Sequence, residues 1–288
     1  MALEYMIYSI IVTYNPNESD LTLLVNALIS SGVTPVIVDN ASKEYFSVPC
    51  QLIKLDSNYG IAKAQNTGIE YALKNNAEAI IFFDQDSSIT DDLFIKKLYQ
   101  PILDKKVNIT APVFTDLARG FIYSIVDIDK HGRRTKYYPA IDDIPFKVSN
   151  VISSGTMVDA QALTEIGYMI DELFIDYVDT EWCLRAYNRG FDILVIPNAR
   201  MTHSIGDKTL KLGAFYVPKH SPFRRYYRIR NAFYLLRKDY IPKCLAYREI
   251  SFAIIHQMIL IAVAKGERLA YLSSFYRGLR DGILGRFN

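Results

Sequence analysis

Up to about residue 200, short apolar runs alternate with amphipathic stretches, a rhythm that few architectures accept. Ile7 to Val12, Val36 to Val38, Ala79 to Phe83 and Ile193 to Ile196 read as strands, with a shorter one at Leu52 to Leu55. Leu21, Leu24, Val25, Leu28 and Ile29 recur at three- and four-residue steps, the stripe of a helix that covers one face of a sheet. Continuous apolar strands joined by helical crossovers predict an α/β fold with a mostly parallel central sheet. In such sheets ligands bind beyond the carboxyl ends of the strands, so polar residues directly after apolar runs are the first candidates for chemistry.

The chain has 288 residues, 50% hydrophobic and 22% charged, enough to bury a large core. Cys50, Cys183 and Cys244 form neither a pairing pattern nor a CxxC ligand spacing, which fits a reducing cytoplasm. The N-terminal MALEYMIYSIIVTYN lacks a basic leader and is too short an apolar run to span a bilayer. Charge is distributed unevenly. From Gly213 onward there are 14 Lys and Arg against 4 Asp and Glu, with 14 aromatic residues, whereas residues 1 to 212 carry 19 against 27. This asymmetry predicts two regions, 1–212 and 213–288, with a boundary near Gly206 to Gly213. A basic, aromatic-rich surface suits anionic headgroups or nucleic acid, or is a solvated helical face. The apolar run Ser251 to Ala264 contains His256 and Gln257 and reads as a buried or interfacial helix.

No Walker loop and no GxGxxG fingerprint is present, which argues against common ATPase and dehydrogenase readings. Asp39 ends the strand Pro35 to Val38, where its carboxylate can accept the imide N–H of a pyrimidine or close an Asx-type turn. Asp84-Gln85-Asp86 follows Ala79 to Phe83 directly; in extended backbone residues i and i+2 share a side, so both carboxylates can face one pocket. Paired hard oxygens suit Mg²⁺ or Mn²⁺, which keep open positions for water and diphosphate. In Asp176-Tyr-Val-Asp179-Thr-Glu181-Trp182-Cys-Leu-Arg185 a helix is predicted to start near Asp179 or Thr180. Asp179 can be its N-cap and Glu181 with Arg185 a surface pair, yet a cap does not explain three carboxylates beside the one tryptophan. His203 lies a few residues past a strand and is structural or a metal or diphosphate contact. Asn58 to Gly68 opens a helix whose glycines line a nucleotide or permit close packing.

Taken in order, Ser9-Ile-Ile-Val-Thr-Tyr-Asn15, Val38-Asp39-Asn40, Asn58 to Gly68, Asp84-Gln-Asp86, Ser153-Ser-Gly155 and Asp179-Thr-Glu-Trp182 resemble family 2 of the inverting glycosyltransferases, over roughly residues 7 to 210. Phe174 to Ala186 and Tyr226-Tyr-Arg-Ile-Arg-Asn231 look most like its bacterial rhamnosyltransferase branch, whose members extend O-antigen or capsule-type chains from dTDP-rhamnose. The resemblance implies a GT-A fold. It makes Asp179 the catalytic base and gives the donor Thr13, Asn15, Asp39, Asn66, Asp84, Gln85 and Gly155. Asp176, Glu181 and Trp182 fall to the acceptor, and Asp86 and His203 to a divalent metal, Mg²⁺ or Mn²⁺. Many relatives carry Glu-Asp where this chain has Val178-Asp179, so that carboxylate is absent here or replaced by Asp176 or Glu181. The implied partners are a nucleotide sugar, a lipid-linked saccharide and the inner face of the plasma membrane, with no nucleic acid.

Two other readings compete. A sugar nucleotidylyltransferase would carry a Gly-rich basic loop after the first strand, where this chain has Asn15-Pro16-Asn17. A membrane-surface or nucleic-acid module would leave Asp84, Asp86 and Asp179 unexplained.

Overall fold

The structure, a computed structural model, describes residues 6–116, 121–203, 209–212, 215–264 and 266–287. The chain opens with β1 (Ile7–Thr13), α1 (Glu18–Ser30), β2 (Thr34–Asp39), β3 (Gln51–Lys54), α2 (Gly60–Lys74) and β4 (Ala79–Asp84). Next come β5 (Ser87–Ser88), α3 (Phe94–Leu103), β6 (Ile109–Asp116), β7 (Phe121–Ile122), β8 (Ile125–Ile128), β9 (Arg134–Tyr137) and β10 (Phe146–Val148). They are followed by β11 (Met157–Asp159), α4 (Ala160–Ile166), α5 (Val178–Asn188), β12 (Ile193–His203), β13 (Thr209–Leu212) and β14 (Phe215–Pro218). Three helices close the chain: α6 (Pro222–Leu236), α7 (Lys243–Val263) and α8 (Arg268–Leu284).

The main sheet runs β10-β12-β6-β11-β4-β1-β2-β3. Its β4-β1-β2-β3 half is parallel, and β6 is parallel to β12, while β11 enters antiparallel between β6 and β4. The sheet is therefore mixed, with α1 crossing from β1 to β2 and α2 from β3 to β4 in its parallel half. Along β1, Tyr8 and Ile10 belong to one apolar cluster and Ile7 and Ile11 to the other, so alternate residues fill opposite layers. One layer holds α2, α4 and α5; the other holds α1 and α3. Burying each such Leu or Ile contributes about 1.5–3 kcal/mol, which is why the strands need no polar face. Asn17 caps α1, its side chain accepting from Ser19 N at 3.0 Å, and Leu21, Leu24, Val25 and Leu28 are buried as the stripe predicts.

Two glycines set the packing of α2. Gly68 lets the helix lie on Ile10, since a Cβ there would sit 2.6 Å from Ile10 Cγ2. At Gly60, with φ of +84°, a Cβ would sit 2.4 Å from the Phe174 carbonyl oxygen, which also accepts from Ile61 N at 2.7 Å. The start of α2 is thus pinned to the loop before α5. The expected boundary at Gly206 to Gly213 falls partly outside the described residues, since 204–208 and 213–214 are not among them. The three cysteines are free.

Candidate active site

Register places three polar residues side by side at the carboxyl edge of the parallel strands. Thr13 is opposite Asp39, and Val12 is opposite Asp84. The Asp39 carboxylate is buried and accepts from Thr13 Oγ1 at 3.1 Å, from Ser42 N at 3.0 Å and from Ser42 Oγ. These bonds form the turn the sequence allowed for, and of its roughly four acceptor positions about one is left over. Asn15, at φ of 49°, extends the turn by accepting from Lys43 N at 3.0 Å while its own N–H donates to Ser42 Oγ. Gln85 joins this edge to the Asp84 loop, its Oε1 accepting from Tyr14 N at 2.7 Å.

Beyond that edge lies a cavity of about 690 Å³, lined by Asp84, Asp86, Ser153, Asp176, Asp179 and Thr180 among others. Two distant carboxylate motifs therefore face one space. The Asp84 N–H donates to Ser154 Oγ at 3.2 Å, which fixes the turn that turns Asp84 and Asp86 inward. Asp179 sits in the first turn of α5, and its Oδ1 accepts from Thr180 N at 2.7 Å. Burial, helped by the neighbouring Asp176 charge, pushes the Asp179 carboxyl above the usual carboxylate range, while Thr180 N–H and Arg228 pull the other way. A carboxylate raised in this manner is a stronger base than a solvated one.

The approach to α5 is an unusual loop. Phe174, Asp176 and Tyr177 all have positive φ, near 60–65°, a conformation that non-glycine residues adopt only when the surroundings impose it. The surroundings are α6. Asn231 Nδ2 donates to the carbonyls of Leu173, Ile175 and Asp176 at 2.7, 2.9 and 3.2 Å. Arg230 adds a bond to the Glu172 carbonyl. The Asp176 carboxylate is held by Arg224 at 3.2 Å and Arg228 at 3.6 Å, and Arg228 also stacks 4.1 Å over the Tyr177 ring. Tyr177 OH donates to Glu249 on α7 at 3.1 Å.

Several expected contacts fall elsewhere. Glu181 and Trp182 lie a turn inside α5, on the side facing the core, and neither lines the cavity. Glu181 is fully buried and accepts from Arg185 Nε at 2.9 Å and from Tyr240 OH, so this is a core ion pair rather than a surface one. Trp182 Nε1 donates to the Gly167 carbonyl at 2.8 Å. Asn66 is spent on Met169 and Asp171, through three bonds of 2.6–2.9 Å, and braces α2 against the segment before α5. Gly155 is a packing residue, because a Cβ there would sit 2.5 Å from Met201 Sδ and from Pro112 Cγ. The backbone of His203 pairs with Ser87, next to Asp86, while its side chain lies outside the described residues.

The Asp84 and Asp86 oxygens converging on the cavity fit a hard divalent cation, with water and diphosphate oxygens free to complete its shell. Among the described residues no group of three His, Cys, Asp or Glu side chains forms a ready-made cage. What sequence reasoning missed is another part of the lining: Arg134 from β9, Arg224 and Arg228 from α6, and Glu249 from α7. Only Arg228 fell inside a quoted motif, Tyr226 to Asn231, and nothing in that motif said it faced Asp176.

Residues 9–167 match the model of glycosyl transferase family 2. The dTDP-rhamnosyl transferase RfbF of Shigella flexneri is 45% identical over 287 residues, covering 97% of this chain and 96% of that protein. Among solved structures, the mannosyltransferase PcManGT of Pyrobaculum calidifontis, in complex with GDP-Man and Mn²⁺, superposes with a TM-score of 0.58 at 13% identity. That match covers 98% of this chain and 88% of the other. S. aureus TarS 1-349 in complex with UDP gives 0.53 at 17% identity, covering 93% and 80%. The fold is GT-A.

Proposed function

The chain belongs to glycosyl transferase family 2, and on that premise we propose that it moves rhamnose from dTDP-rhamnose to a growing bacterial surface polysaccharide, with inversion. The observation that carries this is the near full-length likeness to a dTDP-rhamnosyl transferase, joined to a cavity where a strand-end carboxylate pair faces a single raised-pKa aspartate. Asp179 takes the proton of the acceptor hydroxyl as that oxygen attacks the anomeric carbon. The dTDP leaves from the opposite face, on the side of Asp84 and Asp86. One base suffices for such a single displacement, and a β-linked donor then gives an α-linked product. Asp86 with Asp84 would hold a divalent metal, which when bound neutralises the departing diphosphate. Thr13, Asn15 and Asp39 stand where the nucleotide base and ribose would lie, at the carboxyl edge of β1 and β2.

We place the acceptor on a lipid and the enzyme at the cytoplasmic face of a membrane. Exposed Arg237, Lys243, Arg268, Arg277 and Arg280 and exposed Phe252, Ile255, Leu269 and Tyr276 all belong to the C-terminal helical region. Each basic residue near an anionic surface contributes about 1 kcal/mol, so several support reversible attachment. Helix α7 is long and apolar enough to cross a bilayer by length and composition, but one side of it packs against α6 and α8 through buried Ala253, Gln257 and Leu260. The donor is tested by competition binding among dTDP-rhamnose, UDP-glucose and UDP-galactose. The rhamnose donor is expected to bind tightest, and a UDP-hexose that displaces it would overturn the assignment.

A further inference from the structure

Buried polar atoms in folded proteins are almost always paired, so each exception asks for a reason. Among the described residues, Gln65 Oε1 and Asn150 Oδ1 are buried side-chain oxygens with no hydrogen-bond partner in the protein, and both residues line the cavity. Gln65 is the sharper case, at 3% exposed. It sits in the second turn of α2, four residues after Ile61, which lines the cavity too, so one face of this helix forms part of the enclosure. The next residue shows what a structural amide looks like here. Asn66 uses both ends of its side chain, donating to Met169 O and Asp171 and accepting from Met169 N.

The Gln65 amide is only half used. Its Nε2 donates to Ser153 Oγ at 3.3 Å, and the following residue, Ser154, accepts from the Asp84 N–H at 3.2 Å. Gln65 is thereby tied to the segment that positions the strand-end carboxylates, while Val178, Asp179 and Thr180 border the same cavity from α5. A single displacement puts the ring being transferred between the departing diphosphate and the base. A sugar ring in that place brings hydroxyl groups into the enclosure, and a hydroxyl can donate to an amide oxygen. An oxygen left unpaired in the free protein is costly, and a ligand relieves that cost only if it carries a hydroxyl at the matching position.

We infer that Gln65 is a specificity-determining residue, whose Oε1 accepts a hydrogen bond from one ring hydroxyl of the sugar being transferred. This rests on the glycosyl-transfer reading above and adds to it a contact that reads the sugar rather than the nucleotide. The amide carries no charge and takes no proton, so it selects among sugars and leaves the displacement to Asp179 and the strand-end pair.

Calorimetric titration of the full chain with dTDP and with dTDP-rhamnose, both with Mn²⁺, tests this in wild type and in Gln65→Met, which keeps the length of the side chain and removes the oxygen. The variant is expected to bind dTDP-rhamnose about three- to tenfold more weakly than wild type, the size of one lost hydrogen bond, while dTDP affinity stays unchanged. Because the substitution removes an unpaired buried oxygen along with one long hydrogen bond, the ligand-free variant should melt close to wild type. A merely structural glutamine would instead lower the melting temperature and both affinities together, and that result overturns the inference. So does an equal loss for dTDP, which would hand Gln65 to the nucleotide, and so does unchanged binding of dTDP-rhamnose. Analogues of dTDP-rhamnose that each lack one ring hydroxyl identify the donating group. One of them should bind wild type about as weakly as dTDP-rhamnose binds Gln65→Met, and should lose nothing further in the variant. If every analogue loses as much in the variant as the parent does, no ring hydroxyl reaches Gln65 and the inference falls. A wild type that prefers UDP-glucose to dTDP-rhamnose would sink the rhamnosyl reading alone. The inference about Gln65 then stands if Gln65→Met weakens UDP-glucose without weakening UDP, and falls if it does not.

Discussion

The two walls of the cavity are built by opposite means. The Asp84 wall is a strand end: β4 is buried on both faces, and the Asp84-Gln85-Asp86 turn follows directly, with Asp84 and Asp86 lining the cavity. The Asp179 wall is an assembly, in which a loop with three residues at positive φ is held by side chains more than fifty residues away. Strand ends are set by local pattern, so one wall needs little help. The other exists only when α6 and α7 have docked.

The sharpest break between the walls is Asp179→Asn. It keeps the side-chain acceptor for Thr180 N–H and removes the proton acceptor, so transfer should fall by about 10²–10⁴ while donor affinity holds. Steady-state rates beside calorimetric donor binding read both. The pH behaviour has a defined sign. A carboxyl raised by burial favours the fold in its protonated form, a contribution fully present below the unfolded carboxylate value and lost as pH rises through the raised folded value. Activity should therefore switch on along an acid limb lying above the ordinary Asp range, and the permanently neutral Asn variant should melt no lower than wild type at neutral pH. A variant that loses stability together with activity would make Asp179 a structural residue.

Glu181→Ala probes the assembled wall from behind. It strips the buried Arg185 of its carboxylate and removes the acceptor of Tyr240 OH, at a cost of about 3–5 kcal/mol in stability. Chemical denaturation measures this. If stability is unchanged and acceptor KM rises, Glu181 reaches the acceptor after all. On the strand-end wall, Asp86→Ala should weaken Mn²⁺-dependent donor binding by up to about 100-fold without moving the melting temperature, because Asp86 is exposed. Equal donor affinity in that variant with and without chelator would remove the metal from the site.

The same difference explains what could be read in advance. Strands β1, β2, β4 and the stripe of α1 are legible because two-sided burial and helical periodicity are written in consecutive residues. Asp84, Asp86 and Asp179 are legible because each directly follows or begins an element. Glu181 and Trp182 were misplaced for a geometric reason: a helix that begins at Val178 turns those two toward Gly167 and Arg185, and sequence adjacency to Asp179 says nothing about azimuth. The arginine wall is illegible in principle from one chain, since Arg134, Arg228 and Glu249 share no window and meet only through tertiary packing. The basic excess after Gly213 was visible, but not that Arg224, Arg225, Arg228 and Arg230 point inward, with Arg225 buried against Gln257 and the Ala253 carbonyl.

The amide of Asn231 carries a consequence for how such enzymes diversify. One side chain on a separate helix braces the segment that leads to Asp179, so the shape of the cavity is set in part by a residue that does not line it. Substitutions along α6 would shift the Leu173–Asp176 carbonyls, and with them the start of α5, while leaving the carboxyl edge of β1 and β2 untouched. The two ends of the cavity are then adjustable by different residues, one set on α6 and the other on the parallel strands.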